Sequence, residues 1–381
     1  MYVDHLSLHD FRSWASLEID LGPGVTSLVG RNGQGKTNII ESVDYLSRLS
    51  SHRVAGDAPL VRKGAEQAIV RAAVIKDERR AVLEVEINPG RSNRARINSS
   101  PLPRARELIG ILRSVVFAPD DLVLVKGDPG DRRRFLDELM VQRAPRYAGI
   151  RSDYDRVLKQ RNSLLRSASV ARGSTDAAIA TLEVWDDRLI ELGSQIMSAR
   201  AQLVRDLNPV LGKSYEAVAR GAQRDEAVTV YVPSFTVEPG VAGGPADYEE
   251  PFRTALADRR RDELDRGITL VGPHRDELSC LLGALPVKGY ASHGESWSFA
   301  LALRLASYDL LRAPEVGEAD DPVLVLDDVF AELDSGRRGQ LAEMVAGAEQ
   351  VIVTAAVPED VPTQLRGRRH RVADGQVTTD E

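Results

Sequence analysis

The chain has 381 residues, 50 Lys and Arg against 57 Asp and Glu, and a formal net charge of −7. With 43% hydrophobic and 28% charged residues it has material for two or three domain-sized units and is not a disordered chain. Its acidity excludes blanket polyanion binding, so a nucleic-acid site must be a local basic patch, and the lack of an 18-residue apolar run excludes a membrane-spanning helix.

The first residues lack a basic stretch followed by an apolar one, so no secretory leader is expected. Leu6 and Leu8, then Leu17, Ile19 and Leu21, alternate with polar residues as half-buried strands do. Gly22-Pro23-Gly24 marks a turn, and residues 25–29 are a short, mostly apolar run of the central-strand kind. Beyond Thr37, Ile39, Ile40, Val43, Leu46 and Leu49 recur at helical spacing; strand alternation returns over 69–97. Further on, Tyr147, Ile150, Tyr154, Val157 and Leu164 follow 3-4 spacing, interrupted by Arg161. Leu182, Trp185, Leu189, Leu192, Ile196, Ala199 and Leu203 form a heptad seam. This predicts two antiparallel helices joined by a loop over 167–176, the second roughly 45 Å long at 1.5 Å per residue. Residues 228–237 read as a strand, 239–245 as a glycine-rich loop and 247–266 as a charged helix. After Ile268 the pattern is again α/β. The expected organisation is a discontinuous α/β head, 1–119 plus 268–381, interrupted by a mainly helical insertion, 120–267. The lone cysteine, Cys280, can form no internal disulfide and no zinc cluster, and a reducing cytoplasm is the expected location.

Two stretches carry chemistry. Gly30-Arg31-Asn32-Gly33-Gln34-Gly35-Lys36-Thr37 fits G-x-x-x-x-G-K-[ST] between an apolar strand and a helix start, where its mechanism requires it. Glycines let the backbone approach phosphate oxygens, and amides at a helix N-terminus favour negative charge. Lys36 should reach the β and γ phosphates, Thr37 should ligate Mg²⁺, and Asn38 is grouped with the nucleotide contacts. The plain alternative is a glycine-rich turn. The second stretch, residues 323–328, is four apolar residues ending in Asp327-Asp328. A buried parallel strand delivers such carboxylates to the sheet's carboxyl edge. Asp327 is expected to hold Mg²⁺ through its water shell, and Asp328 to polarise an attacking water.

Ser292 and Glu295 make a capping-box pattern before the apolar-periodic residues 299–311. Ser292-His293-Gly294 also resembles the ABC-ATPase signature, Ala331-Glu332-Leu333-Asp334 resembles the D-loop, and Thr354 stands where transporters carry a switch His. That resemblance implies that the Ser292 and Gly294 helix start contacts a γ-phosphate bound to an opposite subunit. It also implies slow hydrolysis, since Asp328 replaces the usual Glu.

Together with residues 9–14, Val116 to Leu122, Arg132-Arg133-Arg134 and Gly272-Pro273-His274-Arg275-Asp276, these motifs make the chain resemble the RecF family of bacterial DNA-repair ATPases, relatives of SMC proteins. The resemblance covers nearly the whole chain; Glu295 stands where Gln is common, and Trp297 near where a basic residue is common. It implies a cytoplasmic ATPase, weak and DNA-stimulated, with ATP and Mg²⁺ as cofactors and Lys36 and Asp328 in catalysis. It further implies a homodimer formed on ATP binding that holds DNA at single-strand/double-strand junctions. With RecO and RecR it would help load RecA at gaps and support the SOS response. The competing reading is another SMC-like ATPase subunit serving a nuclease or a defence system. A transporter subunit fits poorly, given the long helical insertion and the missing His.

For DNA, residues 143–172 hold eight Arg or Lys against two Asp. Arg151, Arg156, Lys159 and Arg161 are the expected contacts; Arg91, Arg94 and Arg96, and the arginines of 366–371, are further candidates. A solvated helix face explains the same charges. Aromatics are sparse in all three clusters, so backbone contacts without sequence preference are expected.

Overall fold

The computed structural model describes residues 1–170, 176–219, 224, 226–238, 243–313 and 321–380. The expected connecting loop at 167–176 and the glycine-rich loop at 239–245 lie partly outside the described residues, as does Arg172. The chain divides into two compact units, one of residues Met1–Leu122, Lys213–Ala222 and Trp297–Glu381, the other of Val123–Gly212 and Gln223–Ser296.

In chain order the elements begin β1 (Tyr2–Phe11), β2 (Trp14–Asp20), β3 (Gly24–Val29), α1 (Lys36–Arg48), β4 (Ala68–Lys76), β5 (Arg79–Ile87), β6 (Arg94–Ile97), β7 (Ser100–Pro101) and β8 (Ser114–Phe117). They continue α2 (Leu122–Lys126), α3 (Pro129–Arg143), α4 (Arg146–Val170), α5 (Asp176–Val218), β9 (Ala227–Val232), α6 (Ala246–Arg266), β10 (Glu277–Leu282), β11 (Leu285–Pro286) and the short α7 (Val287–Tyr290). The chain closes with α8 (His293–Arg312), β12 (Val323–Asp327), α9 (Ser335–Val345), β13 (Gln350–Ala355), β14 (Arg368–Ala373) and β15 (Gln376–Asp380).

The first unit holds two sheets. One is antiparallel, in the order β2-β1-β4-β5-β6-β7. Its register pairs Leu6 with Ile19 and Leu8 with Leu17, so the alternation seen in the sequence sends one face into the core. The other runs β15-β14-β3-β13-β12-β8, and all its pairings except β14 with β15 are parallel. Every residue of β8, β12 and β13 is buried, as a parallel sheet covered on both faces demands. Helix α1 touches β1, β4 and β5 of one sheet and β8, β12 and β13 of the other, burying Ile39, Ile40, Val43 and Leu46. It also buries two carboxylates. Glu41 accepts from Arg12 Nε at 2.8 Å and Nη2 at 2.5 Å, and Asp44 accepts from Ser114 Oγ at 3.0 Å and pairs with Arg48 at 2.8 Å. A charge on a buried face is tolerable only with such partners.

In the second unit the sheet β11-β10-β9 accompanies α3, α4, α6 and the greater part of α5. Helix α5 has 43 residues, about 65 Å at 1.5 Å per residue, and is longer than expected. Leu182, Leu189, Leu192, Ile196 and Leu203 of the seam are buried; the stripe runs on through Leu207, Leu211, Tyr215 and Val218 and carries the helix past Pro209. Burial of that stripe outweighs the hydrogen bond forfeited at a helical proline. Residues 268–296 belong to this unit rather than to the head, because β10 pairs with β9 along its whole length, Ser279 opposite Val230. Among the described residues no helix is long and apolar enough to cross a membrane.

Candidate nucleotide-binding site

Strand β3 ends at Val29, and the loop of residues 30–35 leads directly into α1. Gly33 and Gly35 hold φ of +83° and +95°, a region where a side chain is strained. Gly35 caps α1, and a Cβ there would lie 2.9 Å from both Ser13 Oγ and Trp14 Nε1, which donates to the Gly35 carbonyl at 3.2 Å. A Cβ on Gly30 would lie 2.1 Å from the Val372 carbonyl oxygen. The loop is thus held against β14 at one end and against the β1–β2 turn at the other.

Lys36 is buried, and its Nζ donates to the carbonyl of Gly30 at 2.7 Å, with Arg31 O and Asn32 Oδ1 each at 3.4 Å. Arg31, Asn32 and Gly33 are exposed. The side chains of Gln34 and Asn38 brace the loop: Gln34 Oε1 accepts from the Asp374 amide at 2.7 Å, and Asn38 Nδ2 donates to Ser13 Oγ at 2.9 Å.

Asp327 sits at the carboxyl end of β12, buried, between β8 and β13. Its Oδ1 accepts from Thr37 Oγ1 at 3.2 Å and from Thr354 Oγ1 at 2.7 Å. The same Thr354 hydroxyl accepts from the Asp328 amide at 2.9 Å. Burial first, and then the charge of Asp328, raise the Asp327 carboxyl above its ordinary range, while the two threonine hydroxyls pull it back. Asp328 has φ +50°, an uncommon conformation for a residue with a side chain. Thus Lys36, Thr37, Asp327, Asp328 and Thr354 are brought to one edge of the parallel sheet. Among the described residues no three His, Cys, Asp or Glu cluster as a metal cage. The hydroxyl–carboxylate pair fits a Mg²⁺ that keeps waters and takes phosphate oxygens for its remaining ligands.

Ser292 and Gly294 lie at the start of α8, in the second unit. The capping box is reciprocal: the Ser292 amide donates to Glu295 Oε2 at 2.8 Å, and the Glu295 amide to Ser292 Oγ at 3.2 Å. The Ser292 amide first, with Arg224 assisting, holds the Glu295 carboxyl below its ordinary range. Arg224 donates to Glu295 at 2.9 Å, a pairing that no sequence spacing announces. Arg12 with Glu41 is likewise invisible before folding.

The expected DNA contacts separate. Arg161 is fully buried, and its three donor nitrogens are taken by Asp186, Glu263 and Thr269 at 2.7, 2.6 and 2.8 Å. It is therefore corrected from a DNA contact to the centre of a buried ionic cluster; its interruption of the apolar spacing is the sequence sign of that role. Arg151 is partly exposed and pairs with Asp137 at 3.2 Å. Arg156, 68% exposed, pairs with Asp153, and Lys159 is exposed. Arg94 and Arg96 pair with Glu86 and Glu84, and Arg368 donates to the Leu21 carbonyl at 2.7 Å.

A phosphate loop between β3 and α1, beside an acidic strand two places along a parallel sheet, with a Ser-x-Gly helix start far along the chain, defines an ATPase head of the ABC type. The chain matches the family profile described as RecF/RecN/SMC N terminal domain over residues 2–365. It is 58% identical to the DNA replication and repair protein RecF of Nocardioides sp. strain JS614, covering 100% of both chains. It is 58% identical to that of Streptomyces avermitilis over 379 residues, covering 99% of each. A solved structure of the recombination mediator protein RecF with ATP, from the RecFOR pathway, superposes with TM-score 0.89 at 26% identity, covering 100% of this chain and 98% of the other. The SMC head domain of Pyrococcus furiosus shares the fold, at TM-score 0.53 and 16% identity. The chain belongs to the RecF family.

Proposed function

We propose that this chain is an ATP-switched DNA-binding protein of replication and recombinational repair, acting in the RecFOR pathway to which its solved relative is assigned. The observation that carries this reading is the convergence of Lys36, Thr37 and Asp327 on one edge of the parallel sheet. Lys36 and the loop amides would hold the phosphates. Thr37 and Asp327 would hold Mg²⁺, whose role when bound is to neutralise charge on the transferring phosphate. Asp328, fixed through its amide by Thr354, would orient the attacking water. The exposed helix start at Ser292 would meet the nucleotide of a second copy, so that two nucleotides hold two heads together. The dimer would then grip DNA at single-strand/double-strand junctions and, with RecO and RecR, help load RecA in support of the SOS response. Hydrolysis would be slow and DNA-stimulated, releasing the dimer.

Gel filtration tests this directly: ATP, but not ADP or buffer alone, should shift the protein to a dimer. A single molecular mass at saturating ATP with gapped DNA present would remove the proposal. Asp328→Asn should keep the ATP dimer while lowering turnover by about 10²-fold or more, the usual worth of a positioned general base. Reversing Arg156 and Lys159 to Glu should weaken gapped and duplex DNA alike, and should flatten the salt dependence by roughly one unit of slope for each phosphate that is no longer neutralised. An unchanged slope would place the DNA elsewhere.

A further inference from the structure

The second unit contains a cleft of about 280 Å³ that the nucleotide reading does not use. Arg133, Arg134, Arg151 and Arg200 line it, against the carboxylates Asp137 and Asp155. Two motifs distant in sequence meet here, Arg132-Arg133-Arg134 on α3 and Gly272-Pro273-His274-Arg275-Asp276 ahead of β10. Their members divide by task. Arg132 is bound at both ends of its fork by Glu277, at 2.7 and 2.8 Å, and Arg275 donates to the Thr269 carbonyl at 3.0 Å. Arg200 is buried and held by Asp137 at 2.8 Å and the Pro273 carbonyl at 2.6 Å, and Asp137 also serves Arg151.

Arg133 is different. Among the described residues it donates to a neutral group, the Asp276 carbonyl at 2.7 Å, rather than to a carboxylate. Burial, and after it the nearby charge of Arg200, hold its guanidinium below its ordinary range. Arg134 beside it is 44% exposed and reaches Glu138 only at 4.0 Å. His274 adds no positive charge: burial lowers it to about 4, so at neutral pH it is uncharged, with Nε2 3.2 Å from the Thr269 carbonyl and Nδ1 2.8 Å from Tyr154 Oη. The Thr269 carbonyl can only accept, so Nε2 carries the proton and Tyr154 donates to Nδ1. The cleft therefore has fixed walls and an excess of guanidinium donors.

We propose that this cleft is an oxyanion site for a single terminal or free phosphate group, with Arg133 and Arg134 as its principal donors. Guanidinium forks match phosphate oxygens, and a dianionic phosphate offsets the crowding of Arg133 against Arg200. At about 280 Å³ the cleft has room for one phosphate with part of its sugar, and a dianion matches its guanidinium excess better than a singly charged backbone diester does, so the ligand is a terminal phosphate of a nucleotide chain or free phosphate. The assignment is independent of ATP binding in the first unit.

The test uses the full chain and Arg133→Gln, titrated with a short single-stranded oligonucleotide bearing a terminal phosphate and with the same oligonucleotide ending in hydroxyls. The wild type should prefer the phosphorylated end by about tenfold, the worth of one charge-assisted fork, and Arg133→Gln should lose that preference. Arg133→Lys should keep part of it. Competition by inorganic phosphate separates the sources: displacement of the phosphorylated end shows that free phosphate also occupies the cleft, and its absence shows that the nucleotide chain is required. Arg134→Gln, on an exposed side chain, gives the same readout if Arg133→Gln disturbs folding. Equal binding of both oligonucleotides by the wild type, or a preference surviving in both glutamine variants, overturns the proposal.

Discussion

Arg161→Ala should lower the free energy of unfolding by about 3–5 kcal/mol, the cost of removing one partner from a buried ion pair. Arg161 has no exposed surface, and Glu263, one of its two carboxylate partners, has none either. Glu263 spends its other oxygen on the Leu270 amide at 2.8 Å, so the Arg161 guanidinium is the cation that hydrogen-bonds it. Asp186 keeps Arg260 when Arg161 is removed, and Thr269 keeps the Asn162 side chain at 2.7 Å. The penalty therefore falls on Glu263, stranded in a low-dielectric interior. Urea unfolding followed by circular dichroism would show the midpoint falling with little change in slope. Adding Glu263→Leu should restore part of the stability, because an apolar pair removes the stranded charge. A decrease below about 1 kcal/mol, or a fall in DNA affinity at unchanged stability, would return Arg161 to the DNA-binding role.

The second large effect is expected in the other unit. Lys36→Ala should weaken ATP binding by about 10²-fold or more, since charge-assisted hydrogen bonds to two phosphates contribute about 1.5–3 kcal/mol each. The side chain is already buried and drawn across the loop, with Nζ 2.7 Å from the Gly30 carbonyl, so binding exchanges carbonyl partners for phosphate oxygens with little side-chain ordering left to accomplish. Lys36→Arg keeps the charge but brings a planar fork into a loop shaped around a narrow ammonium, and it should lose most of the affinity as well. Titration with a fluorescent ATP analogue reads both variants. Wild-type affinity in Lys36→Ala would mean that the glycine-rich loop is only a turn.

What is legible without coordinates follows the range of the interactions. The phosphate loop is legible because its geometry is local: eight consecutive residues set the glycine conformations, the lysine and the helix start. The Asp327-Asp328 pair is legible because an all-apolar strand ending in carboxylates has few other uses. The capping box of Ser292 and Glu295 spans a single turn and appears as expected. Arg161 breaks an apolar repeat, which signals something unusual, but its partners lie on α5 and α6 and its meaning is tertiary. The limits of the head are obscured for the same reason. The β9–β10 ladder joins segments separated by α6, so an α/β pattern alone groups residues 268–296 with the head, whereas their pairing groups them with the second compact unit. The length of α5 is underestimated when the heptad count stops before Pro209, although Leu211 and Tyr215 continue the stripe.

The order of strands in the parallel sheet has a consequence for biosynthesis. Strands β3 and β8 emerge early, yet the two that lie between them, β13 and β12, belong to the last third of the chain. The roughly 200 residues separating β8 from β12 take on the order of 10–40 s to translate, and throughout that time β3 and β8 have no central neighbours. Exposed apolar edges of this kind attract chaperones and other nascent chains. The phosphate loop, written near the start of the message, becomes a site only after the ribosome has released almost everything else.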